Sequence, residues 1–151
     1  MTSHPSTGDD GFRFALDTRV EIADTDLGGV VYYGSYARLS DRAVCAYRRH
    51  LGIPELGPTG HLFVVRTMSW EYLRSARFPD LLIVRVRVAR LGRSSHTMQV
   101  RIDHPESGSA IATAELTIVG VSGYEQPRPT RVPADLVERI EGFEGPELGS
   151  R

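Results

Sequence analysis

The 151-residue chain contains no lysine, no asparagine and a single cysteine, Cys45. Without lysine, Schiff-base chemistry through a side-chain amine is excluded. Without asparagine, no such side chain serves as an oxyanion donor or carries an N-linked glycan. A lone cysteine excludes an intramolecular disulfide and any multi-cysteine metal site. Long apolar runs are missing as well, and those present are far too short to cross a bilayer. Residues 1–11 are polar and lack the apolar stretch of a secretory leader, so they are expected to be disordered and the protein cytoplasmic. Charge of one sign is also lacking. The net charge is -1, with all 18 basic residues arginine, which gives no electrostatic support for a nucleic-acid or anionic-membrane partner.

What is present suits one soluble domain, with 40% hydrophobic and 25% charged residues and enough length for a real core. We expect that domain over residues 12–141, followed by a loose tail over 142–151. Phe12 to Ile22 alternates apolar and polar residues, the period of a strand with one wet face. Ser35 to Leu51 reads as a helix, since Tyr36, Leu39, Ala43, Tyr47 and Leu51 recur at spacings of three and four. Arg48 and Arg49 suit its C-terminal end, and Gly52 and Pro54 stop it. Leu56–Gly60 reads as a turn-rich connector. Four strand candidates follow: Leu62–Leu73, Leu82–Val88, Thr97–Ile102 and Ala110–Val121. A short helix is expected over Pro133–Ile140, with proline at its first turn. Consecutive late strands imply an antiparallel sheet. The expected class is α+β, a five-stranded antiparallel sheet wrapped around one long central helix. Ala37, Ala43, Cys45 and Ala46 keep that helix slim enough to lie close to a curved sheet.

The chemistry concentrates in Asp24-Thr25-Asp26-Leu27-Gly28-Gly29-Val30-Val31-Tyr32-Tyr33-Gly34-Ser35-Tyr36. Asp26 falls in a glycine-rich turn, and the long helix starts a few residues later. A helix N-terminus offers unpaired N–H groups and favours negative charge. A carboxylate beside it can attack a carbonyl, or activate water to do so, while those N–H groups receive the developing oxyanion. A bare turn-capping role is the competing reading of Asp26. Asp24 reads as structural. Together the two acids form a D-x-D, yet no third ligand lies nearby in sequence and no metal is expected.

The motif, with Leu39, Asp41, Arg42 and Ala43 behind it, resembles the hotdog-fold thioesterases of the 4-hydroxybenzoyl-CoA thioesterase type. A weaker second match is Tyr72-Leu73-Arg74-Ser75-Ala76-Arg77-Phe78-Pro79-Asp80. The resemblance spans roughly residues 12–121. It implies hydrolysis of an acyl-CoA or an acyl-carrier-protein thioester, with Asp26 as catalytic carboxylate. It places the carbonyl-polarising N–H at Tyr33, with Gly34 beside it. It implies a site between two subunits whose strands pair edge to edge, so a homodimer or homotetramer. The CoA phosphates would be met at the turn carrying Arg90, Arg93 and Ser94, and the substrate walled by Val30, Tyr32 and Tyr36. Ser35 stands where relatives often have asparagine, and is expected to cap the helix in its place. No cofactor is implied.

Two other readings are weighed. A hydratase or dehydratase on the same scaffold needs a histidine paired with a carboxylate, and none lies near Asp26 in sequence, although folding could bring His96 closer. A non-catalytic acyl-CoA-binding subunit would not need Asp26. A serine hydrolase is disfavoured, because Gly120-Val121-Ser122-Gly123-Tyr124 lacks the final glycine of the nucleophile elbow. His50, His61, His96 and His104 read as surface or helix-end residues, and Cys45 as an inert buried thiol.

Overall fold

The computed structural model describes residues 2–5, 10–53, 62–123 and 125–150. The elements run β1 (Ser3–Pro5), β2 (Phe14–Arg19), a 3-10 turn (Ile22–Asp24), α1 (Ser35–His50), β3 (Leu62–Tyr72), β4 (Leu81–Leu91), β5 (Ser95–Asp103), β6 (Ala110–Val121), α2 (Ala134–Glu144), a second 3-10 turn (Gly145–Glu147) and β7 (Gly149–Ser150). The sheet order is β1-β2-β4-β5-β6-β3. Every neighbouring pair in it is antiparallel. The five long strands and the long helix are those expected, and the architecture is the hotdog fold. Leu56–Gly60, Pro54 and His61 lie outside the described residues.

The core sits between α1 and one face of the sheet. The helix contributes Tyr36, Leu39, Ala43 and Tyr47, all at most 3% exposed. The sheet contributes Leu82, Val84, Val86 and Val88 from β4, Met98, Val100 and Ile102 from β5, and alternate residues of β6. Burying a side chain of this size stabilises by roughly 1.5–3 kcal/mol, so this stripe is what fastens α1 to the sheet. Gly52 ends the helix at φ +69°, where a side chain would be strained.

Both ends of the chain depart from expectation. Ser3–Pro5 is a strand on the outer edge of β2 rather than disordered, and it covers backbone groups that edge would leave unpaired. The C-terminal segment is not loose. Pairing of β2 with β4 stops at Phe14 opposite Val86, which leaves the rest of that β4 edge open. The Glu144 carboxylate takes the Val88 N–H at 2.8 Å, and β7 pairs in parallel with Arg90 and Leu91. The Glu144 side chain and β7 thus take up the β4 edge where β2 gives out. Helix α2 correspondingly runs past Ile140 to Glu144.

Candidate active site

Residues 24–32 form a miniature hairpin. The Tyr32 N–H donates to the Asp24 carbonyl at 2.9 Å, Thr25 bridges Val31, and the Asp26 N–H donates to the Val30 carbonyl at 2.9 Å. The turn closes with the Gly29 N–H on the Asp26 carbonyl, and Gly29 has φ +74°, which selects glycine. The Asp26 carboxylate lies at the tip. Its Oδ1 accepts the Gly28 N–H at 2.8 Å. Among the described residues no ion pair engages Asp26, which is exposed on the single chain.

Asp24 has the structural role expected. It is 1% exposed. One carboxylate oxygen accepts the Glu21 N–H at 2.8 Å and the other accepts from the Arg38 guanidinium. Both oxygens are therefore engaged inside the protein, which argues against a D-x-D cation pair. Arg38 sits in the first turns of α1 and also reaches the Ala23 carbonyl, so it ties the hairpin to the helix.

The N-terminus of α1 is open. The N-cap is Gly34, with no side-chain cap hydrogen bond. Ser35 does not cap, contrary to expectation, because it is the first helical residue and its N–H goes to the Tyr32 carbonyl at 2.8 Å. Among the described residues nothing accepts from the N–H groups of Tyr33 and Gly34. A capping side chain would have occupied this end. A Cβ on Gly34 would come within 2.7 Å of the Tyr32 ring, so glycine lets that ring lie across the helix start. The Tyr32 and Tyr33 rings contact each other at 4.3 Å.

The segment 72–80 cradles this hairpin. Val31 N–H donates to the Ala76 carbonyl at 2.8 Å, and Val30 bridges Arg77. The Tyr36 phenol, raised by burial, meets the Ala76 backbone. The Tyr72 hydroxyl donates to the Tyr33 carbonyl at 3.2 Å. Folding thus brings the two separate sequence motifs into one site. Tyr72, Ala76 and Arg38 were not singled out from the sequence, although Tyr72 and Ala76 lie within the second motif.

The other expected site residues fall elsewhere in the single chain. Arg90, Arg93 and Ser94 lie at the far end of β4 from the Asp26 hairpin. Arg90 points to the outer sheet face, paired with Glu115 at 2.9 Å. Arg93 is exposed in the β4–β5 turn. His96 is not a surface residue: it faces the core beside Phe63 and is 5% exposed. Burial, with the Arg48 cation nearby, lowers its pKa from 6.5 to about 4. It too lies at the Leu91 end of β4, away from Asp26. His50 packs at the helix end against Phe14 and Phe143, as expected. Cys45 is half-buried.

Comparison with known proteins gives the chain a family. Residues 28–111 match the thioesterase superfamily family model. The acyl-CoA thioester hydrolase YbgC of Escherichia coli O157:H7 is 31% identical over 126 residues, covering 82% of this chain and 92% of that protein. A thioesterase from Thermus thermophilus, solved with coenzyme A and zinc, is 29% identical with a TM-score of 0.75, covering 90% of this chain and 97% of the other. A 4-hydroxybenzoyl-CoA thioesterase variant solved with 4-hydroxybenzoyl-CoA shares the fold at a TM-score of 0.77 and 21% identity, with 83% and 96% covered. The chain belongs to the thioesterase superfamily. It is a thioesterase enzyme, and no helix among the described residues is long and apolar enough to cross a membrane.

Proposed function

We propose that this protein hydrolyses an acyl-CoA thioester to the free acid and CoA thiol, with an acyl-carrier-protein thioester as the alternative substrate. The carrying observation is that one short segment holds the Asp26 carboxylate at the hairpin tip and the free N–H groups of Tyr33 and Gly34 at the hairpin base, where α1 begins. The thioester oxygen points at those N–H groups. As the carbonyl carbon becomes tetrahedral, its negative charge grows against the positive end of α1. Each such donor supplies about 3 kcal/mol of transition-state stabilisation. Asp26 supplies the electron pair in one of two ways. It attacks the carbonyl, the C–S bond breaks, thiolate leaves, and water then cleaves the mixed anhydride. Or it takes a proton from water as the hydroxide attacks the carbonyl, and the C–S bond then breaks to release thiolate, which takes up the proton from Asp26. Mass detection of an acylated Asp26 in a quenched single turnover separates the two.

The functional unit in this reading is at least a dimer. The outer edge of β3 is unpaired in the described chain, and Val64, Val65, Met68 and Tyr72 on it are 40–55% exposed. Such an edge seeks a strand. Two-fold antiparallel pairing along β3 would set the partner's Leu62 end beside Tyr72. The β4–β5 turn lies at the Leu62 end of the sheet, since Ser95 and Val64 both pair with Val119. The partner's Arg93 and Ser94 would then approach the Asp26 hairpin and could meet CoA phosphates, for which guanidinium is suited. Val30, Tyr32 and Tyr36 would wall the acyl group. The proposed setting is cytoplasmic.

A panel of aromatic, short-chain and long-chain acyl-CoA esters, assayed for free thiol, tests the proposal. Turnover of at least one class is expected. Tight binding without thiol release would favour the non-catalytic reading, and hydration of an enoyl thioester would favour the lyase. The position of His96 counts against the lyase.

A further inference from the structure

We propose that Tyr72 is a positioning residue that aims and strengthens the Gly34 N–H toward the thioester oxygen. This rests on the thioesterase reading above. The peptide unit between Tyr33 and Gly34 carries the Tyr33 carbonyl at one end and the Gly34 N–H at the other. A planar trans peptide points these two groups in opposite directions, so fixing one fixes the other. The Tyr72 hydroxyl donates to that carbonyl at 3.2 Å. Among the described residues the N–H at the other end has no acceptor.

This peptide needs an external anchor. Tyr33 and Gly34 are both exposed. Glycine at position 34 lets the Tyr32 ring lie 2.7 Å from where a Cβ would stand, so any larger residue would displace that ring. Glycine brings rotational freedom to the very peptide whose direction matters. No side chain caps the helix start to steady it. The hydrogen bond from Tyr72 therefore supplies an orientation that local sequence does not. It also polarises the amide, which makes the opposite N–H a better donor.

Tyr72 is itself held in place. Its ring stacks with Trp70, with centroids 6.0 Å apart and planes 10° from parallel. It also meets Tyr36, from the first turn of α1, at 5.5 Å. Those contacts belong to the ring. Removing the hydroxyl alone, in Tyr72→Phe, leaves the stack in place and separates orientation from packing.

The experiment uses an acyl-CoA from the panel above, labelled with carbon-13 at the thioester carbonyl and bound to Asp26→Asn to prevent turnover. Isotope-edited infrared spectroscopy reads the carbonyl stretch. Asp26→Asn should show the band shifted to lower frequency than in free thioester. Adding Tyr72→Phe should move it back toward the free position. In the otherwise native enzyme, Tyr72→Phe should lower kcat roughly tenfold, the loss of one hydrogen bond's worth of transition-state stabilisation, with KM and melting temperature unchanged. An undiminished band shift, with or without a change in kcat, would overturn the role of Tyr72 and leave the thioesterase reading standing. No band shift even in Asp26→Asn alone would overturn the assignment of the Tyr33 and Gly34 amides, and the role of Tyr72 with it.

Discussion

Tyr47 in α1 donates its hydroxyl to Glu144 at the end of α2, 97 residues away, at 2.6 Å. The same carboxylate oxygen accepts the Val88 N–H at 2.8 Å. The other oxygen has no partner among the described residues, and the group is 1% exposed. One side chain thus joins both helices to the sheet.

Glu144→Ala would strand two buried donors and open a cavity, at about 3 kcal/mol of unfolding free energy. Glu144→Gln keeps an acceptor oxygen and should stay within about 1 kcal/mol of native. Burial raises the Glu144 carboxyl. The folded state then holds a proton that the unfolded state releases. Stability from this group is full below the ordinary glutamate value of 4.5 and lost as pH rises through the raised value. Glu144→Gln should therefore gain on the native protein as pH rises from 4.5 through the raised value and show no further gain beyond it, measured by urea unfolding at a series of pH values.

His96 acts with the opposite sign. Its pKa, lowered by burial to about 4 from 6.5, means the unfolded chain binds the proton first. Stability is full above 6.5 and lost as pH falls toward 4. The loss amounts to about 3 kcal/mol across that window. His96→Leu should show a correspondingly shallower acid limb, read as unfolding free energy against pH. Parallel limbs for the two proteins would contradict this.

The β3 edge carries the proposed assembly. Val65 is 55% exposed on the single chain, so Val65→Asp should not disturb the monomer fold. Placing a charge on a pairing edge opposes strand addition. The variant should sediment as a monomer with native circular dichroism and lose activity, because the partner's turn no longer reaches Asp26. A fully active monomer would show that one chain suffices.

The five long strands and α1 are legible in the sequence because their apolar periods are uninterrupted. Tyr36, Leu39, Ala43, Tyr47 and Leu51 face inward as their spacing requires. The chain ends are not legible because β1 and β7 are only 3 and 2 residues long, too short for a period, and their pairing is set by gaps along β2 and β4. Asp26 is visible through its turn chemistry. Tyr72 is not, since its partner is a backbone carbonyl 39 residues away, a contact that topology creates. His96 departs from expectation because a histidine in an alternating strand carries no signal of the face it takes. The placement of Arg90 follows from a bulge between Val88 and Arg90 that shifts the register, and no residue type announces it.

Catalysis in this reading turns on the Asp26 carboxylate, as nucleophile or base, working with the amides of Tyr33 and Gly34. Asp26→Asn preserves an oxygen able to accept the Gly28 N–H, so the hairpin should survive. The decisive measurement is single-turnover thiol release by Asp26→Asn beside the native protein, on an ester the native protein cleaves. A fall of about 10²-fold or more in rate, with substrate binding retained, is the expected result. Turnover near the native rate would remove Asp26 from the chemistry and contradict the proposed mechanism.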